Sequence, residues 1–241
     1  MTNGILDSAQ KIISNGLLLN YDIAQLRSYP TTGTIITDLS GNNKNGTLIN
    51  GISFNSLNGG NFLFDGVNDY VDLGVSTVVN LLNGAMASTF SIWINNNLLP
   101  ATGIENYQSI GCLIQNNTLI NCCFFGSNIS IGGRSRIQDS YQVARTPYGS
   151  TNLWVNISGI LDYTNDLIKI YINGILVKTQ SVNFGSNTIV KGVPTVPDAI
   201  GSIQNTQFFN GKIGQFSLYN KELTSTEVLQ NFNANRSRYG L

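Results

Sequence analysis

The acidic side chains are the residues that could do covalent chemistry, and their spacing argues against it. The sequence contains no histidine, so neither a Ser-His-Asp nor a Cys-His nucleophile can be assembled. Sugar hydrolysis needs two opposed carboxylates. The glutamates are Glu105, Glu222 and Glu227, and no Glu-x-Asp-x-Glu run places carboxylates side by side on one face of a strand. The sequence therefore predicts a protein that is not an enzyme.

Tyrosines in polar segments are candidates for ligand binding. Tyr107, Tyr141 and Tyr148 lie in or beside the stretches 100–109 and 126–150, which are rich in Ser, Gly, Asn and Gln. Aromatic rings offer a flat platform to a sugar, and neighbouring amides and hydroxyls offer hydrogen bonds; this mixture is typical of adaptable binding loops. The alternative is that these tyrosines pack over the fold as ordinary loop residues. The sequence leaves both interpretations open.

Low and balanced charge limits the partners of this chain. It carries 13 basic and 13 acidic residues, and the pairs Arg134/Arg136 and Arg236/Arg238 are too small to form a phosphate-binding patch. No apolar stretch approaches the length that spans a membrane. The first residues lack the basic start and long apolar run of a signal peptide. We therefore expect no nucleic-acid partner, no membrane association and no export by the general secretory route.

The cysteines do not form a disulfide framework, because their number is odd. They are Cys112, Cys122 and Cys123. Reduced thiols buried among apolar neighbours are the favoured interpretation, and a cross-strand bridge from Cys112 to either of the others is the alternative.

Short alternating runs bounded by Gly, Asn, Asp and Ser predict an all-β sandwich. A chain of 241 residues with 41% hydrophobic composition is long enough for one large β domain. Asn173-Gly174, between the runs 167–172 and 175–178, predicts a hairpin with a type I′ turn, because both turn positions need a positive φ. Trp93 and Trp154 lie within strand patterns and are predicted to be in the core.

The two ends of the chain differ from the sandwich pattern. Thr224 and Glu227 form the sequence signature of a capping box and predict one helix, which Gly240 ends. Residues 1–15 are predicted to form an arm or short helix that docks on the sandwich or on a neighbour. Residues 16–241 form the predicted domain.

Several segments, taken in order, carry a family resemblance. They are DLSGNNKNGTL at 38–48, FDGVNDYV at 64–71, FSIWI at 90–94, YING at 171–174, FNGKI at 209–213 and LYNKELT at 218–224. Together they resemble the laminin-G-like jelly roll of the concanavalin A-like lectin/glucanase superfamily. The resemblance implies an all-β jelly-roll sandwich of two antiparallel sheets with one short C-terminal helix.

The resemblance also implies a structural calcium ion, since laminin-G relatives often hold one. Calcium takes six to eight oxygen ligands, and two loops could supply some of them. Asp38 and Asn42 lie in the first loop, and Asp65 and Asp69 lie in the second. The alternative is that these residues only make turns and cap exposed amides, as Asn, Asp and Ser do in many loops.

Within the superfamily, the chain most resembles domains of tailed-phage structural proteins. The resemblance lies in segment 26–30, the DLSGN loop and segment 231–240. It implies a non-enzymatic virion surface protein, either a head decoration or a tail-fibre component, made in the host cytoplasm. Its partners would be other virion proteins and host-surface glycans, and we expect a homo-oligomer because virion parts assemble symmetrically. The alternative function is that of a bacterial surface carbohydrate-binding lectin.

Overall fold

A computed structural model describes residues 11–99, 107–112, 120–134, 141–190, 195–203 and 207–241. Its strands are β1 Leu17–Asp22, β2 Ile35–Ile36, β3 Gly46–Ile49, β4 Ser53–Asn55, β5 Asn61–Asp65, β6 Tyr70–Val75, β7 Ala87–Asn96, β8 Tyr107–Cys112, β9 Asn121–Phe125, β10 Asn128–Gly133, β11 Gln142–Pro147, β12 Trp154–Asp162, β13 Leu167–Ile172, β14 Ile175–Ser181, β15 Pro197–Ile200 and β16 Asn210–Tyr219. The helices are α1 Thr77–Leu82 and α2 Ser225–Asn233, with short 3-10 turns at Leu57–Gly59 and Arg236–Tyr239.

These strands form two antiparallel sheets of eight strands each. The first sheet has the order β14-β13-β12-β7-β16-β5-β4, and β1 also pairs with β16. The second sheet has the order β11-β10-β9-β8-β15-β6-β3-β2. This arrangement confirms the predicted concanavalin A-like sandwich of two antiparallel sheets.

The main core lies between the two sheets and follows the alternation of the strands. Ile92 and Ile94 of β7 and Ile168 and Ile170 of β13 are buried in it, because successive side chains of a strand point to opposite faces. The turn at Asn173-Gly174 has positive φ at both positions, 51° and 78°. The predicted type I′ hairpin is therefore confirmed.

A second, smaller apolar layer covers the outer face of the first sheet. Helix α2 begins at the predicted capping box: the Thr224 hydroxyl accepts from the Glu227 amide at 3.2 Å, and the Glu227 carboxylate accepts from the Thr224 amide at 2.9 Å. Val228 of α2 packs with Tyr171 and Tyr219 of the sheet. The C-terminal helix is thus part of the fold and contributes Val228 and Phe232 to this layer.

Residues 11–17 pack against the same layer. The Ile13 amide donates to the Asn231 side chain of α2 at 2.8 Å, and the Tyr219 hydroxyl donates to the Ile13 carbonyl at 3.1 Å. Residues 1–10 of the predicted arm lie outside the described residues, so the arm stays a prediction.

The short helix α1 is not predicted by the sequence. Its residues Val78, Val79 and Leu82 are buried in the main core. Val78-Val79 favours a strand by propensity, and here packing overrides that preference. In the part of the chain that the structure covers, no helix combines the length and apolarity needed to cross a bilayer.

Two cysteines are buried free thiols as predicted, and one of them lies among apolar neighbours. Cys122 faces the main core, and Cys123 is buried on the opposite face of β9; both are free thiols. Burial raises the pKa of Cys123 to about 12. The Cys112 side chain lies outside the described residues.

Candidate functional site

A cleft of about 520 Å³ opens at the end of the first sheet where β12 begins and β13 ends. Its volume falls within the range of roughly 300–1,000 Å³ that is common for ligand sites. We call it the Trp154 cleft. It is lined by Tyr148, Ser150, Asn152, Leu153, Trp154, Val155, Ile172, Asn173, Tyr239, Gly240 and Leu241.

Trp154 is held in place by a hydrogen bond at the edge of its ring. Its Nε1 donates to the Asn58 side-chain oxygen at 3.0 Å, and the Asn58 side-chain nitrogen donates to the Arg238 carbonyl at 3.0 Å. Trp154 is half-buried, and its ring lies beside that of Tyr239 with centroids 4.5 Å apart. Because the indole N–H is already engaged, the ring can offer a ligand only apolar surface.

The aromatic layer beneath Trp154 is rigidly packed. Trp93 is buried and stacks on Tyr239 at 4.2 Å and on Phe232 of α2 at 5.6 Å. Burial raises the pKa of Tyr239. Trp93 therefore confirms the predicted core position, whereas Trp154 only packs against this cluster and also lines a cleft.

Amide side chains lie on the rim of the cleft. The Asn173 oxygen accepts from the Asn156 amide at 2.9 Å, and its nitrogen makes no hydrogen bond with the described residues. Asn152 is exposed. The loop that carries it is fixed to β7, because the Asn152 amide donates to the Asn96 carbonyl at 2.7 Å and the Asn96 side chain donates to the Ser150 carbonyl at 3.2 Å. Such amides can both donate to and accept from hydroxyl groups.

The structure does not gather the three predicted tyrosines into one site. Tyr148 lines the cleft, but its ring stacks on Phe124 at 5.6 Å and its buried hydroxyl has no partner among the residues that the structure describes. Burial raises the pKa of Tyr148 to about 12. The Tyr107 backbone pairs with Phe125, and the same row of paired residues continues across β10 to Pro147, next to Tyr148. The Tyr107 side chain lies outside the described residues. Tyr141 is 42% exposed at the other end of β11, and its separation of seven residues from Tyr148 corresponds to roughly 23 Å at the usual rise per residue.

Sequence reasoning missed Trp154, Asn173 and Tyr239 as cleft residues. The strand pattern around Trp154 gave no sign that its outer face would be left partly open. The signal that could have identified it is position: Trp154 is the first residue of β12 and follows an exposed polar loop.

In the first predicted calcium loop, the Asp38 carboxylate already accepts as many hydrogen bonds from the protein as it can hold. The Asp38 carboxylate accepts from the Asn20 amide at 3.0 Å, the Ser40 amide at 2.9 Å, the Ser40 hydroxyl at 2.7 Å and the Lys44 amide at 3.2 Å. The Asn42 side chain donates to a carbonyl of β1 at 2.9 Å. A carboxylate has about four acceptor sites, so Asp38 has none left for an ion. This loop does not fit calcium in the arrangement that the structure shows.

The second loop fits an ion better. Asp69 is buried, and one of its oxygens accepts from the Asp65 amide at 3.0 Å while the other has no partner in the part of the chain that the structure describes. The Asp65 carboxylate accepts from the Val67 amide at 2.7 Å. Burial raises the pKa of Asp69, and the Asp65 charge adds to the increase. The described residues contain no group of three His, Cys, Asp or Glu side chains that could hold a metal, so backbone carbonyls or water would have to complete the site.

The two loops are far apart. Asn20, which bonds Asp38, pairs with Ser217 of β16, whereas Asp65 pairs with Asn210 of the same strand. Seven residues of β16 separate these pairs, which corresponds to roughly 23 Å. The loops therefore cannot share one ion.

Solved structures with the same fold come from toxins and from a sugar-degrading enzyme. One concerns botulinum neurotoxin type C, whose cell entry depends on interaction with two ganglioside molecules (20% identity, TM-score 0.69, 92% of this chain and 52% of that chain). Another is the binding domain of botulinum neurotoxin DC in complex with SialylT (19% identity, TM-score 0.68, 92% of this chain and 52% of that chain). The chain thus spans about half the length of these toxin structures. A third is domain 4 of AbnA, an extracellular arabinanase from Geobacillus stearothermophilus, in complex with arabinotriose (18% identity, TM-score 0.67, 89% of this chain and 97% of that chain).

The sequence itself carries the family assignment. No curated protein matches the chain. The model of the laminin-G type described as the concanavalin A-like lectin/glucanases superfamily matches residues 65–229, which is more than half of the chain. With the sandwich observed here, that match shows that the chain belongs to the concanavalin A-like lectin/glucanases superfamily.

Proposed function

We propose that this domain is a non-enzymatic glycan-binding module and that the Trp154 cleft holds the sugar. The observation that carries the proposal is the half-buried indole of Trp154, fixed by Asn58, beside the amide groups of Asn152 and Asn173. An apolar wall with a few placed polar groups is the usual composition of a small-molecule site. Calcium, if bound, lies elsewhere, in the loop around Asp69.

Two of the related structures concern sugar ligands, and this supports the proposal. Domain 4 of the arabinanase was solved with arabinotriose, and botulinum neurotoxin type C interacts with gangliosides. Both share the fold of this chain at about one-fifth identity, so they indicate a scaffold on which glycan binding occurs. The residues that bind in this chain must be argued from its own cleft.

Glycan-array binding of the purified protein tests the proposal, with two variants as a matched pair. We expect Trp154→Ala to weaken binding by about tenfold or more, since it removes the aromatic wall. We expect Tyr141→Ala to leave binding unchanged, because Tyr141 lies at the other end of β11. The reverse result would place the ligand on the outer face of the second sheet.

A folding control accompanies this test, because Trp154 also packs against Tyr239. Trp154→Phe keeps an aromatic ring, and we expect intermediate binding with a melting temperature close to that of the original protein. If no glycan binds to the original protein, with calcium or with chelator, the proposed function is wrong.

The setting that we propose for this binding is the surface of a virus particle, where the domain would contact host-surface glycans. The support is the resemblance of segments 26–30 and 231–240 to phage structural proteins. On this proposal the protein assembles with other virion proteins, as a homo-oligomer. Mass spectrometry of purified particles tests the localisation, and absence of the protein from them would favour the bacterial surface lectin instead.

A further inference from the structure

The charge of the Trp154 cleft bears on the kind of sugar that it accepts. Among the described residues that line it, no side chain is charged. The polar groups that it offers belong to Ser150, Asn152 and Asn173, and the rest of the wall is aromatic or aliphatic. These groups can pair with hydroxyls but cannot neutralise a carboxylate.

Arg236, Arg238 and Lys212 are cations near the cleft, but none of them lines it. Arg238 precedes Tyr239, but its guanidinium donates to the Asp22 carboxylate at 2.7 Å and to the Tyr239 hydroxyl. Lys212 lies on the same face of the first sheet as Trp154, two strands away through Asn95, at roughly 10 Å between backbones. Arg238 is therefore already neutralised, and Lys212 does not line the cleft.

A carboxylate that enters the cleft would lose water without gaining a cation from the described residues that line it. Burying an unpaired charge is costly, whereas hydroxyl groups that find amide partners are not penalised in this way. Building on the proposed glycan binding, we infer that the Trp154 cleft takes a neutral sugar residue and discriminates against acidic sugars such as sialic acid. One related structure contains arabinotriose and another contains SialylT. On this inference, the cleft accepts the neutral kind of sugar.

Titration calorimetry with matched glycan pairs tests this inference. Each pair consists of a neutral oligosaccharide and its sialylated form, for example lactose and 3′-sialyllactose, and arabinotriose serves as a second neutral probe. We expect each sialylated form to bind about tenfold or more weakly than its neutral partner. Equal or tighter binding of the sialylated form would overturn the inference and leave the proposed function standing. If neither form of any pair binds, the proposed function fails and the inference with it.

Two charge variants separate electrostatics from shape. Leu153 is 61% exposed on the rim, so Leu153→Arg can add a cation there without disturbing the core. We expect it to raise the affinity for the sialylated form several-fold relative to the affinity for its neutral partner. A preference that stays the same in this variant would overturn the electrostatic basis of the inference.

The second variant, Lys212→Gln, is the control for a cation outside the cleft. We expect it to leave both affinities unchanged. Loss of sialylated binding in Lys212→Gln alone would show that acidic sugars are recognised at Lys212, and this result would also overturn the inference.

Discussion

At the scale of single residues, Asn58 connects the cleft to the rest of the fold. It adopts a positive φ of 56°, accepts from the Trp154 indole and donates to the Arg238 carbonyl. Asn58→Gly keeps the backbone conformation accessible but removes both hydrogen bonds. We expect the free energy of unfolding to fall by about 1–3 kcal/mol, measured by urea denaturation, and glycan affinity to fall with it.

The matched control for this prediction is Asn58→Asp. The carboxylate keeps the acceptor for Trp154 and loses only the donor to Arg238, and Asp also tolerates a positive φ. We expect its effect on glycan affinity to be the smaller of the two. If both variants bind glycans like the original protein, Asn58 does not position the indole.

Two aspartates separate the calcium proposal from the turn interpretation. Asp69 has a buried oxygen that no described residue bonds, whereas the oxygens of Asp38 accept four hydrogen bonds from the protein. We expect calcium to raise the melting temperature, because binding to the folded state stabilises it, and Asp69→Asn to abolish the rise. Asp38→Asn should lower the melting temperature equally in calcium and in chelator. A melting temperature that calcium leaves unchanged would contradict the site.

At the scale of elements, helix α1 depends on a carboxylate from a distant strand. Asp198 of β15 is fully buried and accepts from the Val78 amide at 2.6 Å, while its other oxygen has no hydrogen-bond partner among the described residues. Burial raises the pKa of Asp198 to about 7 from an ordinary 3.8, although hydrogen bonds from α1 oppose the shift. The folded state therefore binds a proton between these pH values that the unfolded chain does not bind, and stability falls as pH rises through this window.

Thermal melting from pH 5 to pH 8 measures this effect, with Asp198→Asn as the comparison. The amide stays neutral at every pH and keeps an oxygen for the Val78 amide. We expect the melting temperature of the original protein to fall relative to that of the variant as pH rises, by about 2–4 °C for each kcal/mol lost. Parallel pH profiles would show that Asp198 is not the group that titrates.

The same element shows which parts of the fold can be predicted from the sequence. The Asn173-Gly174 hairpin and the Thr224 capping box are local, because the residues that determine them are neighbours in the chain. Helix α1 is not local: its segment favours a strand, and the carboxylate that bonds its first turn lies 120 residues away. The exposure of Trp154 is not local either, since it depends on how the C-terminal segment covers the outer face of the first sheet. Family motifs predicted the sandwich, but they carried no information about this cleft.

At the scale of the whole molecule, the first sheet has an apolar layer on each face, and both tryptophans of the chain lie in the outer one. Trp93 and Trp154 pack with Phe232 and Tyr239, whereas Ile92, next to Trp93 in β7, belongs to the main core. Because the same strands contribute to both layers, we expect the two layers to unfold together. Tryptophan emission and the far-ultraviolet circular dichroism signal should then give one coincident urea transition.

A bound neutral glycan should shift that single transition without splitting it. Ligand that binds only the folded state adds about 2.7 kcal/mol of stability at a hundred times its Kd, and the cleft is formed by both the sheet, through Trp154, and the C-terminal turn, through Tyr239. The midpoints from emission and from circular dichroism should therefore rise by the same amount. Without glycan, an emission midpoint at lower urea than the circular dichroism midpoint would instead show that the outer layer unfolds separately. If glycan then removes the difference between the two midpoints, the ligand orders that layer. In that case the cleft would exist only while α2 and the turn after it are docked on the sheet.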